Sequence, residues 1–185
     1  MKKIIALAFC LLFIFTACSG KEKPVEINEE NYASYVGAGE MTLINILVNS
    51  NKNYVENILI KDHLPVDETK TVNNGSDTFA PVISEEYKTL ADLKTKLAST
   101  YAEDSVDEII ADKYTDINGR LYFNLKYKTS DYSTDWSSPV VTASIEADGR
   151  YNIEITVKNA LGKKLTLTAY AVNENGNLKL ETIYF

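Results

Sequence analysis

The chain has 185 residues, 45% of them hydrophobic, a net charge of −7, two cysteines and one histidine. So acidic a protein is a poor match for nucleic acid and for spreading over anionic lipid, since both carry its own sign of charge. With Cys10 and Cys18 both in the N-terminal segment, the rest of the chain has no thiol for a disulfide, a cysteine zinc site or a cysteine nucleophile.

The chain begins with Lys2 and Lys3, an apolar run over residues 4–15, and then Phe15-Thr16-Ala17-Cys18. A short positive head, an apolar stretch and small residues before a cut are the layout of a secretory signal. The run is roughly a dozen residues, short of the ~20 that cross a bilayer as a helix. Its end resembles the lipobox of bacterial lipoproteins, with Phe15 where leucine is usual. That resemblance implies removal of residues 1–17, a lipid on Cys18, and an extracytoplasmic protein anchored to the bacterial cell membrane; plain secretion is the alternative. Loss of Lys2 and Lys3 takes the charge from −7 to −9. Residues 18–28, polar and charged with Pro24, read as a tether, leaving residues 29–185 as one domain.

Apolar residues at helical spacing (Tyr32, Tyr35, Val36, Leu43, Ile46, Leu47) predict one long helix over residues 29–48, kinked near Gly37 and Gly39. Residues 54–60 form a strand or a short helix, and Pro65 closes off the segment after it. The polar stretch 67–77, with Asn74-Gly75, reads as a hairpin or exposed loop. Phe79, Val82 and Ile83 around Pro81 suggest an extended segment. Two capped helices come next. Thr89 and Asp92 bracket the start of a stripe of Leu90, Leu93 and Leu97, and Ser105 with Glu108 precede Ile109 and Ile110.

The last third alternates apolar and polar residues at period two: Leu121 to Tyr127, Tyr151 to Val157, Leu165 to Thr168, and Leu178 to Glu181. Asn118-Gly119, Asp148-Gly149, Leu161-Gly162 and Asn175-Gly176 fall between these runs at hairpin spacing. Helices followed by hairpins make an α+β protein, with N-terminal helices packed on a curved antiparallel meander of the cystatin-like or NTF2-like kind. The final strand is expected to carry Tyr184 and Phe185 into the core.

Groups able to do chemistry are sparse. His63 lies in Lys61-Asp62-His63-Leu64-Pro65, with no serine motif beside it, and reads as a surface histidine. Glu103, Asp104, Asp107 and Glu108 fall at the start of a helix, where carboxylates oppose the positive end of its dipole. A calcium loop at Asp116-Ile117-Asn118-Gly119 fails, because Tyr114 and Leu125 stand where acidic ligands are needed. Neither a phosphate-binding glycine loop nor GxSxG occurs. We therefore expect no enzyme, no cofactor and no metal; carboxylate or tyrosine chemistry in a pocket is the one catalytic option left open. Residues 128–139, KTSDYSTDWSSP, read as a long loop between strands. Its Asp131, Tyr132, Asp135 and Trp136 are candidate partner-binding residues, since tyrosine and tryptophan dominate binding hot spots. The alternative is that Tyr132 and Trp136 fold back and cap the sheet.

Tyr87-Lys88-Thr89-Leu90-Ala91-Asp92-Leu93 through Leu97, then Tyr101, Ala111-Asp112-Lys113-Tyr114 and Asn118-Gly119-Arg120-Leu121-Tyr122, resemble the IseA-type family of DL-endopeptidase inhibitors. The resemblance covers about residues 30–185. It implies a non-catalytic protein outside the cell that binds NlpC/P60-type peptidoglycan hydrolases and blocks their cleft. The expected partners are thus a cell-wall endopeptidase and, through Cys18, the membrane, with no nucleic acid and a monomeric state. The alternative is a binding module for a small ligand or envelope component.

Overall fold

Helix α1 (Ala38–Tyr54) starts where the sequence placed a kink. Gly37 is its N-cap, and the Gly37 amide donates to Glu40 Oε2 at 2.8 Å, which satisfies one of the amides a helix start leaves open. The computed structural model describes residues 36–128 and 132–185, so the expected signal segment, Cys18, the tether and the first part of the expected helix lie outside the described residues. Within them α1 runs six residues beyond the expected end at Val48. It then continues as a π-helical segment, Val55–Leu59, which settles residues 54–60 as helix and not strand. Its last carbonyls are capped from another part of the chain: Lys113 Nζ donates to Leu59 O at 2.8 Å and Tyr114 Oη to Ile58 O at 2.7 Å.

Two curled antiparallel sheets replace the single expected one. The first contains β1 (Val72–Asn74), β2 (Asp77–Pro81), β3 (Tyr114–Ile117) and β4 (Arg120–Asn124), in the order β1-β2-β4-β3. The second contains β5 (Thr134–Ile145), β6 (Tyr151–Asn159), β7 (Lys164–Glu174) and β8 (Asn177–Leu180), in sequence order. The break comes after Asn124. Its buried side chain accepts from Lys126 N and donates to Asp77 Oδ2 and Asp112 O, and the backbone turns into a 3-10 segment, Leu125–Tyr127. Leu125 and Tyr127, expected to extend the strand, therefore sit past its end.

Between β2 and β3 lie two short helices, α2 (Leu90–Leu97) and α3 (Glu103–Ile110). The cap of α2 is the reciprocal one expected: Asp92 N donates to Thr89 Oγ1 and Thr89 N to Asp92 Oδ2. These bonds, with Thr89 foremost, hold the Asp92 carboxyl below its ordinary value. Helix α3 corrects the second expectation. It starts two residues before Ser105, with Ala102 as N-cap, so Ser105 lies in the first turn and its hydroxyl donates to Glu181 O.

Helix α1 packs on the second sheet, in contact with β5 and β8, and shares one core with Ile153, Ile155, Val157, Ala169 and Ala171. Tyr151 Oη donates to Glu40 Oε1 at 2.6 Å at one end of the helix, and Lys52 Nζ donates to Trp136 O at 3.1 Å at the other. The segment 100–102 runs parallel to β8, exchanging Leu180 N to Thr100 O and Ala102 N to Leu180 O. The final strand stops at Leu180 and does not reach the chain end. Tyr184 instead turns back onto α1, where its amide donates to Asn51 Oδ1, while Phe185 is exposed.

Two outcomes are expected from this packing. Asn51→Ala leaves the Tyr101 hydroxyl and both backbone groups of Tyr184 without their partner, so urea unfolding is expected to show a loss of about 3 kcal/mol, against about 1 kcal/mol for Tyr101→Phe. The Glu40 carboxyl is held below its ordinary 4.5 by Tyr151 and then by the Gly37 amide. Its contribution is complete above that value and is lost as pH falls through the lower folded-state value. Glu40→Gln is therefore expected to flatten the acid limb of a stability–pH profile below about pH 5.

Candidate functional site

Half of the segment singled out for partner binding, residues 134–139, is strand. Strand β5 begins at Thr134, so only residues 128–133 separate it from the 3-10 segment; Asp131 lies outside the described residues. Thr134 pairs with Asn159 and Asp135 with Lys158, then a bulge absorbs residues 136–139 before Val140 meets Thr156. That bulge offsets the two-residue period, which is why the sequence looks like a loop.

Trp136 is 1% exposed and belongs to the core. Its indole N–H donates to the Tyr132 hydroxyl, and Tyr132, half-buried, packs against the same core. Burial pushes the Tyr132 hydroxyl pKa up. The arrangement is the folded-back one, and Trp136 offers a partner no contact area in this conformation. Asp135 remains exposed, its carboxyl held low chiefly by the Ser137 amide at 2.8 Å.

His63 differs from a surface histidine. Its ring is half-buried, stacks on Phe123 at a centroid distance of 4.3 Å, and places Nδ1 2.7 Å from Leu64 O. The acidic residues at the start of α3 do not converge on one point: Glu103 and Asp104 occupy the first turn, and Asp107 pairs with Lys94 at 2.7 Å. Among the described residues, no group of three or more histidine, cysteine, aspartate or glutamate side chains is placed to hold a metal ion.

A groove that sequence reasoning missed runs along the β7–β8 hairpin. At one end, a recess of about 480 Å³ is bounded by Lys94, Glu103, Asp107, Glu174, Asn177 and Lys179, from α2, α3 and the hairpin. At the other, a recess of about 220 Å³ shares Asn177 and Lys179 and is walled by Leu43 and Ile46 of α1. These two side chains are 51% and 55% exposed, while Ile44, Leu47 and Val48 between and beyond them are buried. The sequence does carry a signal for this. Leu43, Ile44, Ile46, Leu47 and Val48 are too many apolar residues for one buried stripe of a single helix, so part of the set has to face outward.

No protein-family model matches the chain, and no curated protein matches it.

Core membership of Trp136 has a measurable consequence. Trp136→Ala is expected to cost about 3–5 kcal/mol in chemical unfolding, whereas Asp135→Ala, at an exposed position, is expected to stay within about 0.5 kcal/mol of the parent. Equal, small effects at both positions would place the indole outside the core.

Proposed function

We propose that the protein is a non-catalytic extracytoplasmic protein, held at the bacterial membrane through a lipid on Cys18, that binds and inhibits a cell-wall DL-endopeptidase of the NlpC/P60 type. The observation that carries the reading is the groove: two exposed apolar side chains, Leu43 and Ile46, set beside a recess with carboxylates from Glu103, Asp107 and Glu174. Apolar anchors rimmed by charge are the anatomy of a protein-binding surface. The stretch that resembles the IseA-type inhibitors, residues 87–122, supplies α2 and α3, which form one wall of that groove. We read α1 embraced by the β5–β8 sheet as a cystatin-like or NTF2-like arrangement.

In this reading inhibition is occupation of a site. The net charge of −7, with Glu103 and Glu174 beside the Lys94–Asp107 pair, steers the protein toward a basic rim on the hydrolase, an attraction that added salt screens. Leu43 and Ile46 then lose water against the partner. Tyr132 and Asp135 form a second contact, in keeping with the role the sequence assigns to them together with Asp131; Trp136 takes part only by holding Tyr132 through its indole N–H.

A second reading rests on the 480 Å³ recess itself, whose Lys94, Asp107 and Asn177 converge on a volume fit for a small polar ligand. The two readings respond differently to one pair of substitutions. Leu43→Glu with Ile46→Glu is expected to weaken a hydrolase complex at least tenfold while leaving the melting temperature in place. A ligand seated among Lys94, Asp107 and Asn177 would be bound as before. The decisive assay is peptidoglycan digestion by an NlpC/P60 hydrolase in the presence of this protein. Slowed digestion with a salt-sensitive complex is expected; undiminished digestion at excess protein, with no complex, excludes inhibition.

A further inference from the structure

We infer that the tip of the β6–β7 hairpin is a docking element for an anionic lipid bilayer, independent of the groove. The net charge of the chain conceals a local reversal. From Thr156 to Asn173 no residue is acidic, and Lys158, Lys163 and Lys164 cluster at the turn, all exposed. Lys158 and Lys164 stand directly opposite each other across β6 and β7, on the face that points away from α1. Like charges in facing positions of a strand pair repel, so this pair works against the hairpin that carries it. Asp135, on the other side of Lys158 in β5, is the one carboxylate in register with the row, and Glu154 lies further along the same face.

Apolar groups accompany the cations. Leu161, at the extremity of the turn, is 79% exposed; Leu165, opposite Val157 on the other face of the hairpin from Lys158 and Lys164, is 38% exposed. The tip is held in shape before any partner arrives. Asn159 Oδ1 accepts from the amides of Leu161 and Lys163, both at 3.0 Å, and Gly162 N donates to Asn159 O at 2.8 Å. Gly162 has φ of 72°, a conformation that a side chain would strain. Leu161 is thereby fixed outward with no loop to order on binding.

Three lysines alone would suit any polyanion. A projecting leucine decides between sources, because it gains nothing against a hydrated polymer and gains by leaving water at the headgroup–acyl boundary. Each lysine near an anionic membrane surface strengthens attachment about fivefold, so the three together give roughly a hundredfold.

The test reads the tip itself. Leu161→Trp is introduced in the full chain, whose natural tryptophan, Trp136, is buried and reports the fold. On phosphatidylglycerol vesicles containing brominated acyl chains, the new indole is expected to shift to shorter wavelength and to be quenched at least threefold more than on phosphatidylcholine vesicles. Added salt, or Lys158→Gln with Lys163→Gln and Lys164→Gln, is expected to abolish the difference. The signal comes from the hairpin alone, so attachment of residues 1–17 to either vesicle does not imitate it. Equal, water-like emission on both vesicles overturns the inference. So does a response to dextran sulfate without lipid, combined with no bromolipid quenching; that pair of results would assign the tip to a soluble polyanion. Unchanged Trp136 emission in the parent chain and unchanged melting of the variants show that folding is not the cause.

Discussion

Asn51 sits fully buried on α1 with its side chain divided among three partners. Its Oδ1 accepts from the Tyr101 hydroxyl at 3.0 Å and the Tyr184 amide at 3.1 Å, and its Nδ2 donates to Tyr184 O at 2.8 Å. An amide taken out of water is stable only when such bonds replace those it loses. The partners come from the helix-to-helix link and from the last residues of the chain, so satisfying Asn51 requires α1, the 100–102 segment and the C-terminal tail to meet at one place. Strand β8 is held by the same arrangement, since Leu180 pairs with Thr100 and Ala102 on either side of Tyr101. Burial pushes the Tyr101 hydroxyl pKa well up, which keeps it a neutral donor to Asn51.

With α1 fixed there, the surface divides into regions of different chemistry. One side of the helix is wrapped by β5–β8; its outer side leaves Leu43 and Ile46 beside the carboxylates of the groove. The far end of the second sheet, the β6–β7 turn, gathers lysines and an outward leucine. A net charge of −7 averages over both and describes neither. Composition excludes broad, sequence-independent attraction to polyanions, yet patches only a few residues wide escape such an average.

The buried tryptophan shows how local composition misleads. Aspartate, serine and proline around Trp136 look like loop, because the bulge between Asp135 and Val140 breaks the alternation that marks a strand. In such a setting a large ring suggests a contact offered to a partner, whereas the sheet and α1 together enclose it. His63 misleads for the same reason: its stacking partner, Phe123, is remote in sequence.

What the sequence determined by itself was whatever depends on near neighbours. The reciprocal cap of α2, the glycine turns at Gly75, Gly119, Gly149, Gly162 and Gly176, and strand β6 are set by side chains and torsions within a few residues, and appear where the pattern put them, whereas β4 and β8 end earlier than expected and β5 takes in part of the expected loop. What only the tertiary structure decided was the partition into two sheets, the inward turn of Trp136, the start of α3 before Ser105, and the outward turn of Leu43 and Ile46. Each of these depends on which distant surface an apolar group finds to cover it. The period of a helix or strand states that a face exists, and burial against the rest of the chain selects which residues occupy it.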